Sequence, residues 1–280
     1  PDTLRLEAME AKPTWGNPPP LARVLPCSRP LEPRPSEFIA EVLHPAWDSL
    51  LSGPAEVRSK AIEIALTYEV SDIASRLHDL LTDKETNGQV RADALTALAQ
   101  LDVQGIASTL EWAVRDHDRR VRTAAKSLVV RTQPDRATVL LATVLRDGDT
   151  LDKQQAIKLL ASLASSEADA ILSLWLELWI SGDAPPEIRL DLLEAAKQRG
   201  TSQLQQQLDR LERTRNDEGP IAAYRETLIG VDAQRGRGIF QSRSELSCQR
   251  CHKIAGRGGD VGPDLSRICL LYTSDAADEC

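Results

Sequence analysis

The sequence predicts an all-α protein in which stacked helix pairs precede a smaller helical unit, and three observations support this prediction. Only 4% of the 280 residues are aromatic while 41% are hydrophobic, so the core must be built largely from Leu, Ala, Ile and Val, as stacked helices allow. A short pattern recurs along the chain every 31 to 36 residues, which is a period typical of helix-pair repeats. Within a copy, the apolar residues follow the helical period.

The repeated pattern is an aliphatic residue followed by Arg, with a second apolar residue four positions after the first. Clear copies begin at Val57, Val90 and Val121, and weaker copies begin at Asp152 and Ile188. Turn-forming residues close successive copies, at Asp116, Asp147 and Asp183. A single helix pair cannot bury its apolar face alone, so neighbouring copies are expected to stack.

This pattern resembles the HEAT family of α-solenoids, in which an aliphatic-Arg pair opens one helix of each repeat. The resemblance covers residues 45–215. In that family the Arg commonly bonds to an Asp of a neighbouring repeat, which implies this role for Arg58, Arg91, Arg122 and Arg189. A non-repetitive helical bundle is the alternative. The fold alone does not assign a function to such a scaffold.

A different kind of motif lies near the C-terminal end, where Cys248, Cys251 and His252 form C-x-x-C-H, the attachment pattern of haem c. Two thiols at this spacing can reach the two vinyl groups of one porphyrin. The adjacent His can then bind the iron as proximal ligand through a neutral imidazole nitrogen. The sequence therefore predicts one covalent haem c as cofactor, with His252 as the metal ligand.

The residues around this motif resemble class I cytochromes c. Gly236 and Phe240 match the first helix of that family, where the Gly admits another helix and the Phe packs beside the haem. Gly262-Pro263-Asp264-Leu265 matches its Gly-Pro-x-Leu segment, in which the Pro carbonyl accepts a hydrogen bond from the proximal His. The resemblance implies that Phe240 and Pro263 also contribute to cofactor binding, and that Pro263 orients His252.

A closer resemblance is to the haem-binding module of large secreted proteins from planctomycetes, in which a HEAT-like region precedes the cytochrome module. It implies a HEAT-like α-solenoid followed by a truncated class I cytochrome c fold, with electron transfer through one haem c. The implied partner is a redox protein or a fused dehydrogenase domain, and haem c attachment implies a periplasmic or extracellular location. The alternatives are an interaction scaffold with a vestigial haem module and a fragment of a sugar or alcohol dehydrogenase. No catalytic constellation is recognisable in the chain itself.

The expected domain organisation has five parts. They are a partial repeat with a Pro-rich connection (1–44), HEAT-like repeats (45–215), a linker (216–232), the N-terminal part of a cytochrome c domain (233–268) and a tail (269–280). The tail has the sequence of a translated sequencing adapter. Met9 is the only Met, so the distal ligand is expected outside the chain, which we interpret as a fragment.

Other uses of the two cysteines remain open at this point. A zinc site could combine Cys248 and Cys251 with His252, Cys269 or Cys280, and a redox dithiol or a disulfide without cofactor would need only the C-x-x-C pair. A net charge of −8 does not favour a nucleic-acid partner, and no apolar run has the length of a membrane span.

Overall fold

The computed structural model describes residues 2–10, 14–20, 28, 30–70, 72–101, 105–215, 226–227, 233–243 and 247–266. This part of the chain is mostly helical, which confirms the helical class. Within it, no helix combines the length and the apolar character that crossing a membrane requires. The linker expected at 216–232, apart from residues 226–227, and the tail expected at 269–280 lie outside the described residues, as do Cys269 and Cys280.

The helices before residue 216 are numbered in chain order. They are α1 (Asp2–Glu10), α2 (Ser36–Leu43), α3 (Trp47–Leu51), α4 (Ala55–Thr67), α5 (Ala74–Thr82), α6 (Gly88–Gln100), α7 (Ile106–Ala113), α8 (Arg119–Thr132), α9 (Pro134–Asp147), α10 (Thr150–Ser162), α11 (Ser166–Ile180), α12 (Arg189–Arg199) and α13 (Ser202–Arg215). Short 3-10 turns at His44–Ala46 and Pro186–Ile188 precede α3 and α12. The C-terminal elements are α14 (Ala233–Ser242), α15 (Cys248–Cys251), β1 (Lys253–Ile254) and β2 (Arg257–Gly258).

The helices pack as successive pairs. Helices α4, α6, α8, α10 and α12 contact one another in that order, while α5, α7, α9 and α11 each pack against the helix that follows. One continuous apolar cluster, dominated by Leu, Ala, Ile and Val, runs through these pairs. The aliphatic residues that open the repeated pattern are all fully buried, at Val57, Val90, Val121 and Ile188. The repeat period therefore marks the core-facing positions.

Side-chain caps begin several of these helices. A side-chain oxygen accepts a hydrogen bond from a backbone N–H of the first turn in α6, α8, α10 and α11, at Asn87, Asp118, Asp149 and Ser165. Helix α12 ends at Gly200, whose φ of 61° is the left-handed conformation common after a helix C-terminus. The described parts of the Pro-rich connection, at 14–20 and 30–35, contain no helix, as its Pro content predicts.

Arg–Asp contacts form at two of the four expected positions. The guanidinium of Arg91 lies 2.9 Å and 2.6 Å from the two carboxylate oxygens of Asp116, and both side chains are buried. Arg122 lies 2.9 Å from Asp152 and 3.3 Å from Asp149 at the beginning of α10. Asp116 closes the same copy that Arg91 opens, so only the Arg122–Asp152 contact confirms the expected bond to a neighbouring repeat.

Among the described residues, the other two positions form no Arg–Asp contact. Arg58 donates to the Gly53 carbonyl and to the Thr86 hydroxyl, which itself bonds to Asp83 and so stands between the two charges. Arg189 donates to the Ala184 carbonyl, and the segment after α13, which corresponds to the turns that carry Asp116 and Asp149, lies outside the described residues.

The C-terminal segment adds a β-hairpin that the all-α prediction did not include. Lys253 pairs with Gly258 and Ile254 with Arg257 across an antiparallel two-stranded ladder. Both turn residues, Ala255 and Gly256, have positive φ angles, of 52° and 75°, as a tight two-residue hairpin turn requires. Strands of two residues are too short to leave a signal in the hydrophobic pattern.

Candidate functional site

The single turn of α15 brings Cys248 and Cys251 onto the same side of the backbone, because residues three apart on a helix are neighbours. The turn closes with a 3.0 Å hydrogen bond from the His252 N–H to the Cys248 carbonyl. Both cysteines are free thiols, with Cys248 half-buried and Cys251 exposed. Their spacing and accessibility leave both sulfur atoms available to a ligand at this face.

The imidazole of His252 is oriented by the backbone of a later loop. Its Nδ1 lies 3.0 Å from the carbonyl oxygen of Pro263. A carbonyl oxygen can only accept a hydrogen bond, so this contact assigns the hydrogen of a neutral ring to Nδ1 and leaves the lone pair on Nε2. His252 and Pro263, which the resemblance to cytochromes c pairs, are thus in contact. The imidazole has the tautomer that can bind a metal through Nε2.

Gly262 allows this approach, a role that the sequence analysis did not assign to it. A Cβ atom at this position would lie 2.6 Å from Cε1 and 2.7 Å from Nδ1 of His252, closer than side-chain atoms can approach. The Gly262 N–H also donates to the Cys251 carbonyl at 2.6 Å. The backbone at Gly262 therefore lies against the imidazole and is tied to the end of α15.

Polar contacts hold the loop that carries Gly262 and Pro263. Lys253 and Asp260 form an ion pair, and the Asp260 carboxylate raises the pKa of Lys253. Ser266 accepts a 2.7 Å hydrogen bond from the Ala255 N–H, and its own N–H lies 2.8 Å from Asp264. Sequence reasoning missed these supporting residues. Strands of two residues joined by Ala-Gly carry no recognised hairpin signal by which these residues could have been found.

Phe240 and Gly236 lie on α14, which packs against α15. Phe240 is half-buried near the C-terminal end of α14. A Cβ at Gly236 would meet no atom of the described chain within 4 Å. The resemblance implies that another helix approaches α14 closely at Gly236. None of the described residues does so.

Among the residues that the structure describes, no group of three or more His, Cys, Asp or Glu side chains is placed to hold a metal ion. The zinc hypothesis also invoked Cys269 or Cys280, which are outside that part of the chain.

Comparison with known proteins does not add to these observations, because no protein-family model, curated protein or solved structure matches the chain. The function is therefore inferred from the C-x-x-C-H turn, the oriented imidazole and the close backbone at Gly262.

Proposed function

We propose that the chain serves in electron transfer and that its C-terminal segment holds one haem c. Cys248 and Cys251 would bind the porphyrin, and Nε2 of His252 would be the proximal iron ligand. The observation that carries the proposal is the 3.0 Å contact between Nδ1 of His252 and the Pro263 carbonyl, because it leaves Nε2 as the donor nitrogen. When bound, the haem would supply a one-electron ferric–ferrous couple.

The donor set fits such a group. Each thiol of the α15 turn can add across one vinyl group, so that a sulfur–carbon bond forms and the thiol hydrogen passes to the neighbouring vinyl carbon. This addition consumes no oxidant or reductant. It requires two uncombined thiols at a fixed separation, which the single turn of α15 provides.

The remaining residues would hold the imidazole. Pro263 accepts the Nδ1 hydrogen, which increases the basicity of Nε2 and restricts rotation of the ring. Gly262 packs directly against the ring and restricts its tilt. The ion pair between Lys253 and Asp260 would keep this loop in place beside the iron ligand.

We further infer that the stacked helix pairs are a HEAT-like α-solenoid. The sequential contacts of α4, α6, α8, α10 and α12 support this architecture, as do the buried aliphatic residues of the repeat and the Arg91–Asp116 and Arg122–Asp152 contacts. Such a scaffold would present the haem module to a redox partner protein or to a fused dehydrogenase domain. Since haem c is attached outside the bacterial cytoplasm, the protein would act in the periplasm or outside the cell.

Haem staining on a denaturing gel tests the proposal. The protein is secreted alongside a cytochrome c maturation system. We expect a stained band that disappears when Cys248 and Cys251 are both changed to Ser, and that persists in the matched control Cys27→Ser. An unstained protein would refute the haem assignment. A stained product without a reversible redox midpoint would instead support the interaction scaffold.

A further inference from the structure

A groove with a volume of about 500 Å³ lies on the surface formed by α6, α8 and α10. Four cationic residues line it: Arg119, Arg120, Lys158 and, from α14, Arg235. Among its described lining residues, Asp93 is the only carboxylate. The whole chain has a net charge of −8, so this groove has the opposite sign to the protein that surrounds it.

Three cations of the groove, Arg119, Arg120 and Lys158, are only weakly engaged by the described protein. In the described structure Arg119 is exposed and forms no ion pair. Arg120 lies 4.0 Å from Asp118, and 57% of its side chain is exposed. Lys158 is 3.2 Å from Asp191 with 66% of its side chain exposed. Exposed pairs of this kind contribute little to stability, so these charges remain available to a ligand.

The floor of the groove offers a further contact of different chemistry. Leu151 is 45% exposed and supplies an apolar surface. Oε1 of Gln155 is buried and accepts no hydrogen bond from the described residues, although Nε2 of the same side chain donates to the Thr123 carbonyl. Because this oxygen lies below the accessible surface, Leu151 is the contact that the floor offers to a ligand.

The neighbouring surface restricts how an acidic ligand could lie. A second groove, between α1, α4 and α6, shares Asp93 and Thr96 with the first and is lined by Glu10, Glu56 and Glu63. The two grooves are therefore adjacent, and the second is predominantly acidic, since its one cation, Lys60, pairs with Glu63. A carboxylate-rich segment would be attracted at the α8–α10 end and repelled at the α4 end, which fixes its position.

We propose that the basic groove lined by Arg119, Arg120, Leu151 and Gln155 binds a carboxylate-rich peptide segment of a partner protein. Its carboxylates would pair with the two Arg side chains, and an apolar side chain would contact Leu151. This deepens the proposed function, because Arg235 belongs to the helix that packs against the candidate haem turn, so the partner would dock beside that module. Peptide binding itself does not require haem.

Fluorescence anisotropy tests this proposal on the haem-free chain. The probe is a short labelled peptide of Glu and Leu residues, and a peptide of the same length made of Lys and Leu is the charge control. We expect saturable binding of the acidic peptide and none of the basic one. The double variant Arg119→Gln/Arg120→Gln should raise the Kd about fivefold or more, since two charge pairs are lost.

The matched control is Arg131→Gln/Arg136→Gln, which removes the same charge from exposed positions of α8 and α9 outside the groove. Its Kd should rise less than about twofold. An equal loss in both variants, at unchanged circular dichroism and melting temperature, would show unspecific attraction and overturn the proposal. Absence of saturable binding to the parent chain would also overturn it. Neither result affects the haem stain, so failure of this proposal is distinguishable from failure of the proposed function.

Discussion

Nδ1 of His252 and the carbonyl oxygen of Pro263 lie 3.0 Å apart, although eleven positions separate the two residues in the chain. The intervening residues form a tight hairpin and a glycine-rich return, which brings the backbone of Gly262 against the same ring. The imidazole is thus held by backbone atoms at Nδ1 and at its face, and the lone pair of the neutral ring is on Nε2.

Replacing Gly262 by Ala should displace the imidazole, because the new Cβ would overlap Cε1 and Nδ1 of His252. In the haem-free chain, nitrogen NMR shifts of His252 should change from a predominant Nδ1–H tautomer to a mixture. If the proposed haem is attached, the stain should persist, since both thiols remain, while the spectrum should shift towards high spin. The control is Gly238→Ala, where a Cβ meets no atom within 4 Å of the described chain. An unchanged His252 tautomer in Gly262→Ala would contradict the orienting role.

Arg91→Ala should destabilise the helical stack strongly, because it leaves the buried Asp116 carboxylate without its cation. Removing one partner of a buried ion pair costs about 3–5 kcal/mol. The matched control is Arg58→Ala, which begins the equivalent helix but donates only to the neutral Gly53 and Thr86 oxygens, and should cost about 1 kcal/mol. Urea unfolding measures both values. Equal losses of unfolding free energy would show that the buried charge pair has no special contribution.

In the cluster of Lys126, Asp152 and Arg122, loss of Lys126 should cost less stability than loss of the central Asp152. Lys126 is fully buried and lies 2.5 Å from Asp152, which Arg122 also contacts. Lys126→Met keeps the packing volume and the Arg122–Asp152 pair, and should cost less than about 1.5 kcal/mol. Asp152→Ala leaves Lys126 buried without an anion and should cost about 3 kcal/mol or more. Thermal unfolding of both variants checks the order, and a larger cost for Lys126→Met would contradict it.

The Arg91–Asp116 pair should also make stability depend on acidity. Burial alone would raise the pKa of Asp116, but hydrogen bonds from Arg91 and from the Asp118 N–H outweigh it and hold the pKa below the ordinary 3.8. A carboxyl whose folded-state pKa is depressed contributes its full stabilisation above the unfolded-state value and loses it as the pH falls through the folded-state value.

We therefore expect the parent chain to lose more unfolding free energy than Asp116→Asn when the pH is lowered from about 6 to about 3. The comparison uses the change in unfolding free energy with pH in each protein. The lower starting stability of Asp116→Asn therefore does not affect it. Urea unfolding at each pH gives these free energies. An equal loss of unfolding free energy in the two proteins would show that Asp116 is not a source of the acid sensitivity.

Much of the helical architecture follows from local sequence. The aliphatic residues of the repeated pattern, such as Val90 and Val121, identify the core-facing positions, because helical periodicity is a property of neighbouring residues. The C-x-x-C spacing likewise places Cys248 and Cys251 on one helical turn without help from distant residues. Pro263 could be assigned to His252 only through the resemblance to cytochromes c, since nothing in the intervening residues by themselves specifies that contact.

The sequence by itself determined the helix period, the buried aliphatic positions and the turn that presents the two thiols. The tertiary structure alone decided that Arg91 reaches an Asp while Arg58 reaches Thr86, because the partner depends on which residue the next turn brings within range. It also decided that Gly262 lies against His252 and that Arg119, Arg120 and Arg235 share one groove. These contacts join residues far apart in the chain, and only the folded backbone sets the distances between them.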